Sequence, residues 1–171
     1  MRVENVQTPR MRGEPLGIRH LELCAALFAD PRVGRTMGGV MSRETVAEML
    51  EHADRGWAEH GLGYWMFFET ATGEPVARGG LAHTVFDGTP EIEVGWTTYP
   101  DRWGEGFATE LGQVALDVAF GPLNLDNVVA FTLPHNGASR RVMEKLGFTY
   151  EKTAPYKTYG NHVLYRKVCI P

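Results

Sequence analysis

Between Tyr64 and Ala119 the hydrophobic pattern of this chain changes period across a single glycine-rich turn. Upstream the pattern is that of strands. Tyr64 to Glu69 is aromatic-rich, Thr72-Gly73 reads as a hairpin turn, and Pro75 to Val85 reads as the returning strand. Asp87-Gly88 signals a second turn. Glu91 to Thr98 alternates, with Glu91, Glu93 and Gly95 on one face and Ile92, Val94 and Trp96 on the other. Downstream, Phe107, Leu111, Val114, Ala115, Val118 and Ala119 mark a long amphipathic helix that Gly121-Pro122 closes. A dinucleotide-binding fold needs repeated strand–helix–strand units around such a turn, and the meander upstream argues against it. A nucleotide-hydrolase loop needs Gly-Lys-Ser or Gly-Lys-Thr, which is absent.

The rest of the chain extends this frame. Gly13, Pro15 and Gly17 keep any first strand between Arg10 and Ile18 short or turned. His20 to Ala29 is apolar enough for a helix, and Asp30-Pro31 ends it. Ser42 is a plausible N-cap for a helix carrying Val46, Met49, Leu50, Ala53 and Trp57. Val128 to Leu133 reads as a strand and Asn136 to Leu146 as a helix with Val142, Met143 and Leu146 inward. Phe148 to Lys152 and His162 to Val168 read as two final strands. The expected order is α-α-β-β-β-α-β-α-β-β, a mixed α/β domain with one central sheet spanning residues 1–171.

Composition narrows the class of function. With 17 Lys plus Arg against 21 Asp plus Glu, the net charge is -4, without the basic surplus that nucleic-acid binding usually requires. No apolar run approaches the ~20 residues that span a bilayer, and Met1 to Arg12 lacks the apolar core of a signal peptide. Cys24 and Cys169 lie too far apart for a metal knuckle and are too few for a disulfide scaffold. The expectation is a cytoplasmic protein with no metal, no nucleic-acid partner and no membrane partner.

The turn itself reads Trp103-Gly-Glu-Gly-Phe-Ala-Thr109. Gly104 and Gly106 let the backbone approach a ligand closely. They stand where a helix begins, and its unpaired N–H groups and positive dipole end favour phosphate. A second constellation follows the strand Val128 to Leu133, namely Pro-His-Asn136-Gly-Ala-Ser139, ending in Glu144-Lys-Leu-Gly-Phe148. Asn136 can cap its helix, and Ser139 lies in the first turn; either is also placed to touch a ligand between the two helices.

Together, in this order and context, the two motifs resemble the GNAT N-acetyltransferases, most of all their RimJ/RimL branch. The resemblance runs from about Thr8 to Val168 and is sharpest from Glu93 to Phe148. It implies the acyl-CoA N-acyltransferase fold, a mixed central sheet with helices on both faces. It implies acetyl-CoA as donor, an amine on a small molecule or protein N-terminus as acceptor, and a homodimer. By position, the backbone of Trp103, Gly104, Glu105, Gly106, Phe107, Ala108 and Thr109 would receive the pyrophosphate. Trp103 stands where the family usually has Arg or Gln, as it often does in the RimJ/RimL branch. Thr97 and Thr98 would pair by backbone with the pantetheine arm, and Asn136 and Ser139 would contact the coenzyme near its thioester half.

Acetylation of an amine requires the neutral nitrogen, so a base assists. Glu93 is the first candidate, a short way upstream of Thr97 and Thr98, and Glu91 on the same face is the second. Many relatives place a tyrosine in the Asn-Ser helix as acid for the leaving thiolate; the matching position here is Met143, which leaves Ser139 as a donor toward the sulfur. The alternative reading is a coenzyme-A-binding sensor or assembly module without turnover. Tyr64 and Trp57 read as core residues able to line the rim of an acceptor pocket. His135 and His162 have no partner motif, and Arg140, Arg141 and Lys145 are either a solvated face or contacts to the 3′-phosphate.

Overall fold

The computed structural model describes residues 3–170. One eight-stranded sheet runs through it. The strands are β1 (Val6–Gln7), β2 (Met11–Pro15), β3 (Tyr64–Glu69), β4 (Pro75–Phe86), β5 (Thr89–Thr98), β6 (Asn127–Thr132), β7 (Thr149–Pro155) and β8 (Asn161–Val168). Their order across the sheet is β1-β2-β3-β4-β5-β6-β8-β7. Every neighbouring pair is antiparallel except β5 and β6, which are parallel and bridged through one residue pair, Glu93 opposite Val129.

The period-two pattern of β3 divides two cores. Trp65 and Phe67 enter the larger one, with Val94 of β5 and with Leu111 and Ala115 of α4 (Phe107–Phe120). Met66 points the other way, into a cluster with Leu27 and Phe28 of α1 (Leu21–Ala29), Val33 of α2 (Pro31–Met37) and Leu50 of α3 (Arg43–His60). Helices therefore cover both faces, as the sequence implied. The fifth helix, α5 (Gly137–Lys145), joins the α4 side through Met143.

Local chemistry sets the ends of α3. Ser42 accepts from the Thr45 N–H at 3.1 Å, and Gly61 closes the helix at φ 68°. Asp30-Pro31 does more than end a helix. Asp30 also caps the next one by accepting from the Arg32 N–H at 2.8 Å, and Pro31 takes its first position, so α2 follows at once. The expected order thus gains α2, and it gains the pair β1–β2 ahead of the first helix. The meander β3–β4–β5 falls where the turn signals put it, and β7 runs on to Pro155.

Leu111 is fully buried under the sheet. Leu111→Ala is expected to lower unfolding stability by about 2–5 kcal/mol, read from urea denaturation, with the denaturant slope unchanged. A loss below about 1 kcal/mol would mean that α4 is not packed as described.

Candidate active site

Beyond the Glu93–Val129 bridge, β5 and β6 share no further paired residues, so the last residues of β5 lose a neighbour on one side. Register decides which backbone groups face that gap. The Tyr99 N–H donates to the Val76 carbonyl of β4 at 3.0 Å. Bonded and non-bonded pairs alternate along an antiparallel ladder. Thr97, opposite Arg78, is therefore bonded to β4, whereas Trp96 and Thr98 turn their N–H and C=O groups toward the gap. This corrects the expectation for Thr97, whose backbone is already engaged. Thr98 faces the right way, but its carbonyl accepts from the Trp103 indole N–H at 2.9 Å, and its hydroxyl is buried without a partner.

The turn into α4 has the form a phosphate requires. Gly104 and Gly106 sit at φ 81° and 85°, a left-handed geometry that side chains rarely adopt, and no atom lies within 4 Å of where a Cβ on Gly104 would stand. Gly106 is the N-cap of α4, and no side chain caps the helix. The N–H groups of Phe107, Ala108 and Thr109 consequently have no acceptor among the described residues. Trp103 differs from its neighbours. Its N–H donates to the Pro100 carbonyl at 3.2 Å, so its backbone is not part of the cradle. Arg10 ties the turn down, donating to the Glu105 carbonyl at 3.0 Å and to the Glu110 carboxylate at 2.8 Å. The guanidinium groups of Arg10 and Arg102 both stack on the Phe107 ring, at 4.3 and 4.8 Å from its centroid.

On the α1-side face of the sheet, Tyr64 of β3 reaches across β4 to donate its hydroxyl to Glu93 of β5 at 2.7 Å. Gly95 makes room for it: a Cβ there would lie 1.9 Å from the Tyr64 oxygen. Burial pushes the Glu93 carboxyl above the usual carboxylate range; the Tyr64 hydroxyl and the charges of Arg78 and Lys157 oppose that shift without cancelling it. Burial, then the charge of Glu93, hold the Tyr64 phenol well above its ordinary value, so it stays a donor. Arg78 of β4 stacks over the Tyr64 ring at 4.8 Å and the Phe28 ring at 5.0 Å.

Glu91 shares the face of Glu93 but not its environment. Its carboxylate is held by the Arg166 guanidinium at 2.7 and 3.0 Å. Asn136 caps α5, accepting from the Ser139 N–H at 3.2 Å and donating to the Thr132 hydroxyl at 3.0 Å. The Ser139 hydroxyl is half-buried and makes no hydrogen bond among the described residues. Met143 is in the core. His135 and His162 each contact a backbone carbonyl, and Arg140 bonds the Tyr165 hydroxyl and the Pro134 carbonyl. Among the described residues no three His, Cys, Asp or Glu side chains group as metal ligands, and no helix is long and apolar enough to cross a membrane. Sequence reasoning singled out neither Arg78 nor the bond from Tyr64 to Glu93. The one signal for Arg78 was a lone charge in the otherwise apolar run Val76 to Leu81.

A family model described as an acetyltransferase (GNAT) domain matches residues 10–149. An uncharacterized N-acetyltransferase, p20 of Bacillus licheniformis, is 36% identical over 87% of this chain and 84% of its own length. The acetyltransferase from Agrobacterium tumefaciens strain C58 superposes with a TM-score of 0.84 at 28% identity, over 98% of this chain and 95% of that one. RimL, a ribosomal L7/L12 alpha-N-protein acetyltransferase solved with coenzyme A, shares the fold at a TM-score of 0.76 and 14% identity, over 96% of this chain and 98% of its own. With a splayed parallel pair, an uncapped helix beside it and a family match over most of its length, the chain belongs to the GNAT acetyltransferases, which pass an acyl group from an acyl-coenzyme A to an amine.

Proposed function

We propose that this chain transfers an acetyl group from acetyl-CoA to a primary amine by direct attack, with Glu93 as the base. The observation that carries the reading is the half-buried Glu93 carboxyl, held by Tyr64 where β5 and β6 part. The family's acetyl transfer and the coenzyme A of the RimL structure support the donor. The same fold likeness, with Trp103 at the head of the turn, supports a place near the RimJ/RimL branch.

The backbone of Gly104 through Thr109 would hold the pyrophosphate, and Trp96 and Thr98 would pair with the pantetheine arm. Bound acetyl-CoA supplies a thioester whose C–S bond breaks as the C–N bond forms. The attacking nitrogen must be neutral, and an α-amine near pKa ~7.7–8.0 loses its proton more easily than a lysine near ~10.4. Glu93 accepts that proton, directly or through water, and its raised pKa makes it a stronger base than a surface carboxylate. The Tyr64 hydroxyl fixes the carboxyl by bonding Oε1 and leaves Oε2 for the proton. Ser139, with its hydroxyl uncommitted, donates toward the departing sulfur, since Met143 has no proton to give.

A thiol-release assay against a panel of amines tests the reading. Tight acetyl-CoA binding without turnover on any amine favours a coenzyme sensor, a reading that the buried Met143 suggests. Glu93→Gln is expected to lower kcat by about 10²- to 10⁴-fold with the acetyl-CoA Kd changed less than about twofold. The wild type is expected to lose activity as pH falls through the raised Glu93 pKa, above the ordinary value of about 4.3, because the protonated carboxyl accepts no proton. A Gln variant at wild-type rate from mildly acidic to mildly alkaline pH would remove Glu93 as the base.

Gly106→Val is expected to abolish acetyl-CoA binding in calorimetry. A β-branched residue at φ 85° strains the turn by about 1–3 kcal/mol and fills the space a phosphate would take. Unchanged affinity in a variant folded by circular dichroism would place the pyrophosphate elsewhere.

A further inference from the structure

Arg78 has no use in the fold that accounts for its charge. The side chain is 9% exposed, and its Nε is buried without a hydrogen-bond partner. The guanidinium donates no hydrogen bond and makes no ion pair among the described residues. A guanidinium cannot shed its charge as a buried lysine can, and it carries five N–H donors in a planar fork. The rings of Phe28 and Tyr64 stabilise the cation by their faces, but ring faces do not satisfy those donors. Glu93 is not its counter-ion. The two form no ion pair, and the Glu93 carboxyl stays above its ordinary range despite the nearby charge. Tyr64 and Cys24, the other titratable groups that feel the Arg78 charge, are held neutral by burial.

Tyr64 relates the two groups in space. Its hydroxyl holds Glu93, and its ring face carries Arg78, so a base and an unpaired cation stand around one aromatic ring. A molecule with an amine at one end and an anion a bond or two away matches that arrangement. A planar fork of donors matches a carboxylate in particular.

We propose that Arg78 receives the carboxylate of the acceptor, so that the amine acetylated is one bearing a carboxylate on the adjacent carbon, as an α-amino acid does. The proposal rests on Glu93 marking the amine site. It assigns Arg78 to acceptor specificity, and it disfavours a protein N-terminus, whose amine has an amide at that carbon.

The test uses the full chain with acetyl-CoA and α-amino acids paired with their own carboxamides. Turnover is followed by thiol release, and acceptor binding by calorimetry in the presence of CoA. The acid of each pair is expected to show a KM about 10- to 100-fold lower than its amide, the range for a hydrogen bond to a charged group. Arg78→Met is expected to remove that difference. Arg78→Lys, which keeps the charge and loses the fork, is the second variant should the first not fold, and it is expected to retain only part of the preference. Acetyl-CoA binding by each variant reports that the fold is intact. Equal KM values for acids and amides overturn the proposal and leave acetyl transfer standing. Preference for peptide N-termini or for aminophosphonates overturns it as well. If no amine turns over but acids bind in an Arg78-dependent way, Arg78 remains the carboxylate site and acetyl transfer falls. Absence of both turnover and acid binding overturns it.

Discussion

A single bridged pair, Glu93 opposite Val129, holds β5 to β6, and the geometry of the site follows from its being single. Backbone polar groups in a protein interior require partners. Where two parallel strands part, the strand that keeps its other neighbour is left with one row of groups turned outward. On β5 that row belongs to Trp96 and Thr98. The Trp103 indole satisfies the Thr98 carbonyl, and the chain then runs through a short 3-10 turn at Pro100–Arg102 and the glycine turn into the uncapped first turn of α4. The parting of the strands and the helix terminus thus present unpaired donors along one continuous path, which is what a long ligand with a phosphate end and an amide-bearing arm can follow.

The same region holds charge in the interior, and this has a thermodynamic sign. A carboxyl whose pKa is raised on folding stabilises the folded state while protonated. That contribution is present below the unfolded-state pKa and is lost as pH rises through the folded-state value. Ionising Glu93 therefore works against folding, and the buried Arg78 adds an unpaired cation. The smaller core on that face, with Leu27, Phe28, Leu50 and Met66 all buried, carries that load. Stability is given up where the proposed base and the proposed anion site stand.

How much of this was legible in the sequence depended on whether the determinants were local. The meander and α3 to α5 announce themselves by period and by caps such as Ser42 and Gly61, because neighbours along the chain decide them. α2 does not, since Asp30-Pro31 terminates one helix and initiates another with the same two residues. β1 is two residues long and exists through its pairing with β2, a contact invisible to periodicity. At the site, the glycine turn and Glu93 could be found from spacing and alternation. The orientation of Thr97 could not, because it depends on register with Arg78 across the ladder. Nor could the isolation of Arg78, because the absence of a partner is a property of three-dimensional surroundings. Glu91 and Glu93 look equivalent in sequence, and only the reach of Arg166 and Tyr64 separates them.

The Arg10 contacts have a consequence for binding energetics. A turn with two left-handed glycines samples many conformers when untethered, and ordering it on ligation would subtract from affinity. Arg10 fixes the turn beforehand through the Glu105 carbonyl, while Thr8 and the Arg10 backbone lock the same segment to Glu110 at the start of α4. Order in the glycine turn is therefore coupled to the edge of the sheet where Arg10 enters β2. By reciprocity, a ligand seated in the turn steadies that edge against fraying, and fraying there loosens the ligand.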